Sequence, residues 1–412
     1  MTLAATGTDE RCPRCRAGLV MADPAPAWCP ACEWGLDAFD RHRAPRTWGL
    51  RAGDRADHWL AFRLNRRQYD SLVGRTVGRR GNPLARVAML LLATPLLLLM
   101  PLVLAAGVYL AGSASPIGMV LGPAIIICTL VLVWPRRREE PLWQPWVVDE
   151  VSAPALFGLL RRVADAAGTP MPHEVHLDHD VNAAVTVRGI RRRRVLCVGL
   201  PLWAALDPQE RVGLLAHEFG HFVNHDARRG LVVRGGLRVL HGMLGVLAGA
   251  VRGGSLWVLP VVFLGAPVLW LLSVTLLILS GRDSQRAEYL ADQIATRVAG
   301  TAAVAGLFDG LLISDGLPAA VAAGHRSPAD PLTWRTAAAH LRTSTPLETL
   351  ALLSLRTEAS LLRSHPPTGL RRRMVRSRPA QAAQIEPDEQ EWAAVGRDLA
   401  PWFAKLAKRL SG

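Results

Sequence analysis

Between Arg86 and Arg136 the chain runs for 49 residues without a charged side chain, and between Arg252 and Arg282 for another 29. About 20 helical residues cross the ~30 Å apolar layer of a bilayer, so the first run is long enough for two crossings. A purely soluble globular protein is thereby excluded. Gly, Ser and Pro in Ala111 to Pro116 interrupt the run between its apolar stretches 87–110 and 117–134, which predicts a helical hairpin over 87–134. Both ends of such a hairpin return to one side, and charge marks that side. The 48 basic residues, all arginine except Lys405 and Lys408, outnumber 34 acidic ones and crowd Arg41 to Arg86 before the run and Arg136 to Arg138 after it. Basic flanks of this kind mark the cytoplasmic face. Nucleic-acid binding is not expected, because the arginines sit at the membrane edges rather than on a basic face interleaved with aromatics.

Four of the six cysteines form two tight pairs, Cys12/Cys15 and Cys29/Cys32, in the order C-x2-C-x13-C-x2-C. Thiolates two residues apart can both reach one ion at about 2.3 Å, and two such knuckles close a tetrahedral structural zinc site. A pair of disulfides is the alternative, and it requires an oxidising compartment. No cleavable signal peptide precedes the cysteines, so a reducing, cytoplasmic N-terminus and a zinc ribbon over residues 1–40 are expected. Residues 41–86 then read as an arginine-rich connector with helical potential. Cys128 and Cys197 lie in apolar runs and read as small core residues.

Beyond Arg138 the chain turns soluble in character. A helix is expected near 152–167, and strands at 174–178, 183–188 and 194–198. From Asp207 to Val223, an Asp at the N-cap position, a Pro at the first helical position and apolar residues at helical spacing mark a helix. Two apolar segments follow at 237–251 and 256–280, then a charged helix over about 282–299 and a mostly helical remainder. The tail from about 380 to 410, with Trp392, Trp402 and Lys405, reads as an amphipathic helix for either the protein surface or the bilayer.

Inside the helix of Asp207 to Val223 sits His217-Glu218-Phe219-Gly220-His221. Imidazoles one helical turn apart share a face and can hold one zinc ion, with Glu218 beside the attacking water. A catalytic zinc takes three protein ligands and keeps a position open, so a His, Asp or Glu must come from another element. Glu288 is the candidate, and Asp292, one turn further on, would accept the ring N–H of a ligand histidine. Alone, an acidic pair at that spacing is an ordinary solvated helix face. His173, His176 and His179 recur every third residue, which fits neither face of a strand, and they read as loop or surface residues. His225 adds nothing that His217 does not already supply to His221.

Four stretches in order resemble the integral-membrane zinc endopeptidases that include the HtpX-type heat-shock proteases and the CAAX prenyl-protein proteases. They are Val181-Asn182-Ala183-Ala184; Ala216 to His221 with Asp226 following; Ala287-Glu288-Tyr289-Leu290-Ala291-Asp292; and Ser364-His365-Pro366-Pro367 with Arg371 beyond. The resemblance covers about residues 150–375. It implies that His217, His221 and Glu288 bind zinc, that Glu218 is the general base, and that Asp292 supports a ligand histidine. It further implies that His365 and Arg371 face the substrate or the oxyanion, and that Asn182 marks a strand pairing with the substrate backbone. Leu370-Arg371-Arg372-Arg373 departs from the commoner acidic-Arg-apolar run, and Arg371 is preferred to Arg372 as the inward arginine.

The fold class expected is therefore a mainly α membrane protein with an α+β zincin-like (gluzincin) catalytic domain and an N-terminal zinc ribbon. The peptidase domain spans 135–375, interrupted by a second apolar pair at about 231–280, and 376–412 forms the tail. His221 and Glu288 can share zinc only on one membrane face, so 231–251 and 256–280 either cross as a pair, with Arg252-Gly253-Gly254 as the far turn, or dip in as a re-entrant pair. The function expected is hydrolysis of peptide bonds in misfolded or surplus membrane proteins. The chain would sit in a bacterial-type inner membrane as a multi-pass protein, with active site and N-terminus cytoplasmic and two zinc ions, one catalytic and one structural. A non-catalytic membrane adaptor that binds a partner through the ribbon is the alternative.

Overall fold

The structure, a computed structural model, describes residues 6–21, 26–42, 51–78, 83–113, 115–133, 145–188, 192–223, 226–254, 259–324, 327–328, 330–363 and 365–410. A hairpin of β1 (Thr6–Arg11) and β2 (Gly18–Met21) precedes α1 (Arg51–Leu72), and the apolar α2 (Pro83–Ala111) and α3 (Pro116–Val133) follow. Next come β3 (Trp146–Val148), α4 (Pro154–Ala167), β4 (Glu174–Asp178), β5 (Ala183–Arg188), β6 (Arg193–Gly199), α5 (Leu200–Ala205) and α6 (Pro208–Val223). The long α7 (Asp226–Arg252) and α8 (Leu259–Ala299) lead to α9 (Thr301–Leu312), α10 (Leu317–Ala323), α11 (Pro331–Ser344), α12 (Leu347–Thr357), α13 (Thr368–Arg376) and α14 (Glu389–Leu410). The chain is mainly helical and divides into two compact units, one of residues 1–79, 144–225 and 285–412, the other of 80–143 and 226–284.

The second unit is built around Met89 and Ala93 of α2, Val233 and Leu240 of α7, and Leu276 of α8. Its outer surface is apolar: Leu91, Leu102, Ile117, Val120, Phe263 and Leu264 are all exposed. Water does not favour a coat of that kind, and lipid does. Among the described residues two helices, α2 and α8, are long and apolar enough to cross a membrane, while α3 is a shorter apolar helix. Internal prolines at 95, 101, 123 and 267 are accommodated in these helices, as membrane helices allow. The break expected near residue 281 does not occur. α8 runs unbroken from Leu259 to Ala299, because the change there is one of polarity, with Gly281 and no proline to interrupt the backbone ladder.

In the first unit, four strands pair in the order β3-β4-β6-β5, with β4 and β6 parallel and the other pairs antiparallel. β5 is thus an edge strand. Val175, Leu177, Leu196 and Val198 from the sheet share a core with Leu156, Leu160 and Val163 of α4 and with Leu215 and Phe219 of α6. α4 begins at a proline, and the carboxylate of Asp398 on α14 accepts its Leu156 N–H at 3.0 Å, a cap supplied from another helix. Val395, Leu399, Phe403 and Leu406 of α14 enter the same core, so the amphipathic tail packs on protein.

α6 starts as its sequence dictates. Asp207 precedes Pro208, and the Asp207 N–H is accepted by Glu210 three residues on at 3.0 Å, half of a capping box. Arg342 grips the same carboxylate at 2.7 and 2.6 Å. α6 and α8 then approach until backbone meets backbone: a Cβ on Gly220 would lie 2.8 Å from Ala291 Cα. Only glycine permits that spacing, and it sets how near the two helices stand. Gly220→Ala should therefore destabilise the chain by about 1–3 kcal/mol, seen as a lower thermal melting temperature, and an unchanged melting temperature would contradict this packing account.

Candidate active site

One turn of α6 places His217 and His221 side by side, with Nε2 atoms 3.3 Å apart. From α8, Glu288 presents Oε2 3.6 Å from His217 Nε2 and Oε1 3.6 Å from His221 Nε2. Zinc with N/O bonds of ~2.0–2.1 Å in tetrahedral geometry would have donors roughly 3.3–3.4 Å apart, so this donor set fits that ion in type and in spacing. His217 and Glu288 are buried, and His221 is partly open. Glu218 follows His217 and is also buried.

Asp292, 2% exposed, lies one turn beyond Glu288 and brings Oδ1 to 2.9 Å from His217 Nδ1. A carboxylate there accepts the Nδ1–H and leaves the Nε2 lone pair for a metal. Arg371 of α13 closes on Asp292 with both forks, Nη2 to Oδ1 at 2.6 Å and Nε to Oδ2 at 3.0 Å. Its Nη2 is also 3.1 Å from His217 Nε2, and its guanidinium lies 4.8 Å over the Phe308 ring. Burial works against the charge on Arg371, but the carboxylates of Asp292 and Glu288 outweigh it and hold the proton more tightly than usual. Arg372 points elsewhere, to Asp309 at 2.5 Å and Glu348 at 2.8 Å.

His365 stands at the mouth. Its side chain is 56% exposed, and its Nδ1 lies 2.7 Å from Glu288 Oε2. Asn182 immediately precedes the edge strand β5: its side-chain oxygen accepts the Ala183 N–H at 2.9 Å, and its carbonyl accepts the Gly199 N–H at 2.8 Å. Ser364 and His225 lie outside the described residues. His176 is buried against Glu174 within the sheet, and His173 Nδ1 accepts the Arg194 N–H, so these histidines serve the sheet. Phe308 beneath Arg371 and Glu358, which accepts the Thr368 N–H at the start of α13, carry no sequence signal, because both depend on tertiary placement.

At the other end of the chain, the knuckles bring four sulfurs together, Cys12 to Cys32 at 3.5 Å and Cys15 to Cys29 at 3.4 Å. Each knuckle ends in a residue with positive φ, Arg16 at 62° and Glu33 at 60°, and the amide of each bonds back to the first cysteine's carbonyl. Four thiols in one small cluster fit a thiophilic divalent ion.

Residues 152–378, more than half of the chain, match Peptidase family M48. Similar curated proteins include the "Protease HtpX homolog" of Pelotomaculum thermopropionicum, 29% identical over 230 residues, which are 53% of this chain and 74% of that protein. The one from Syntrophobacter fumaroxidans is 28% identical over 258 residues, 60% of this chain and 82% of its own. That of Campylobacter hominis is 36% identical over 114 residues, 26% and 39% of the two chains. No solved structure matches the chain significantly.

Replacing Asp292 by Asn keeps the shape but removes the charge that faces both His217 and Arg371. Asp292→Asn should weaken zinc binding at this cluster by about 10–100-fold in chelator competition, whereas unchanged affinity would show that His217 needs no such support.

Proposed function

The chain belongs to Peptidase family M48, and on that premise we infer that it is a membrane-bound zinc endopeptidase of gluzincin type. The observation that carries this reading is the convergence of His217, His221 and Glu288 at tetrahedral donor spacing, with Glu218 adjoining. A zinc ion bound there supplies the Lewis acidity that activates water and polarises the scissile carbonyl. Glu218 takes the water proton and delivers it to the leaving amine. Asp292 and Arg371 keep His217 in one tautomer and one orientation. His365, exposed beside Glu288, is the group the family resemblance assigns to the substrate or the oxyanion, and in this reading it donates there as charge develops. The open edge of β5, entered through Asn182, accepts an extended substrate backbone as an added strand, which suits a protease reading conformation more than side chains.

Further parts of the reading rest on the sequence and on the relatives. The printed names of the relatives support a protease, and the apolar helices α2 and α8 a membrane-bound one. A role in membrane protein quality control, with misfolded or surplus membrane proteins as substrates, is what the resemblance of the sequence motifs implies. Arginine-rich flanks support a catalytic unit and N-terminus on the cytoplasmic side of a bacterial-type inner membrane, crossed more than once. Cys12, Cys15, Cys29 and Cys32 hold a second, structural zinc in a ribbon.

The test is cleavage of an unfolded substrate such as casein by detergent-purified, zinc-loaded chain, wild type against Glu218→Gln, with metal content measured in the same samples. The expected result is a fall of about 10²–10⁴-fold in rate with zinc retained. Wild type and variant that both hold zinc and both fail to cleave would remove the catalytic reading and favour a membrane adaptor.

A further inference from the structure

The cysteine-knuckle module stands outside the part of the chain that matches the peptidase family, yet it does not hang free. Among the described residues its own buried core is Cys12, Leu19 and Cys29, with Ala17, Ala27 and Cys32 against it, a core small enough to depend on a bound metal. Trp28 and Leu36 instead enter the main core of the catalytic unit. Two polar links go deeper. On α12, Arg356 is 0% exposed and donates to three carbonyls of the module, Pro26 at 2.7 Å, Gly35 at 2.5 Å and Leu36 at 3.3 Å. At the tip of the second knuckle, Glu33 binds Arg66 of α1 and, at 2.8 Å, Arg373 of α13.

These anchors bracket the segment that enters the active site. Arg356 precedes it and Arg373 ends it; His365 and Arg371 lie between. α12 and α13 are also locked directly, since a Cβ on Gly369 would fall 1.9 Å from the Ala351 carbonyl oxygen and Ser354 Oγ accepts the Gly369 N–H at 2.8 Å. α13 has nine residues, too few to persist alone. Successive side chains leave a helix about 100° apart, so Arg371, Arg372 and Arg373 hold α13 from three directions. They bind Asp292, then Asp309 with Glu348, and then Glu33. The last of these three holds belongs to the module.

We propose that the cysteine-knuckle module is a clamp on the catalytic centre, with Glu33 acting through Arg373, and the module's carbonyls through Arg356, to position Arg371 and His365. Glu33, Arg356 and Arg373 are then positioning residues. Loss of the ion held by the four cysteines would remove this one of the three holds on α13 and slacken the support of His217. The proposal rests on His217, His221 and Glu288 being metal ligands.

Cobalt is the probe, because thiolate and imidazole–carboxylate sites absorb differently and both can be followed in one full-length, detergent-solubilised sample. Arg373→Met should leave the thiolate spectrum intact while the catalytic cobalt is lost to EDTA about tenfold faster, with kcat down by a similar factor and KM little changed. Arg373→Lys, which keeps the charge, should restore most of both. Glu33→Gln attacks the same link from the module's side with the smallest change of shape, and should reproduce the loss if Arg373→Met does not fold. Variants that keep the thiolate spectrum and hold catalytic cobalt as tightly as wild type overturn the clamp alone. A wild type that takes cobalt only on sulfur overturns the metal-site reading as well.

Discussion

Asp292 is the buried charge on which the arrangement of the centre depends. A carboxylate at 2% exposure is stable only if its oxygens are paired, and here they face His217 from α6 and both forks of Arg371 from α13. Three helices are thereby fixed on one small anion. The same contacts that satisfy Asp292 choose the tautomer of His217 and turn its Nε2 toward His221 and Glu288. Structure and chemistry share these bonds, and disturbing one disturbs the other.

Backbone contacts make that anion reachable. Gly220 lets α6 meet α8 at Ala291, and Gly369 lets α13 meet α12, so helices with long side chains still bring short ones such as Asp292 into range. α8 contributes to both units of the chain, apolar in its first half and carrying Glu288 and Asp292 in its second.

The local parts of this architecture were legible in the sequence. Strands at 174–178 and 183–188 lie where strand-like runs put them, and α6 starts where Asp207 and Pro208 mark it, with Glu210 closing the turn on the Asp207 N–H. The spacing of His217 and His221 on one helical face could be read directly, as could the pairing of the cysteines. Features made by tertiary contact were not legible. The continuity of α8 was obscured because a change of polarity resembles a boundary while the backbone has no reason to stop. Docking of α14 on α4 depends on Asp398 and four apolar residues meeting a partner that periodicity does not name. The different destinations of Arg371, Arg372 and Arg373 follow from helical geometry once α13 is placed, and three identical residues in a row carry no information about that placement.

The central claim is that one ion is held by two imidazoles and a carboxylate, apart from the ion held by thiolates. Zinc-edge X-ray absorption on the purified chain tests it most directly. Two zinc ions per chain and two distinct shells are expected, sulfur at about 2.3 Å and nitrogen or oxygen at about 2.0–2.1 Å. A single zinc with only the sulfur shell would contradict it.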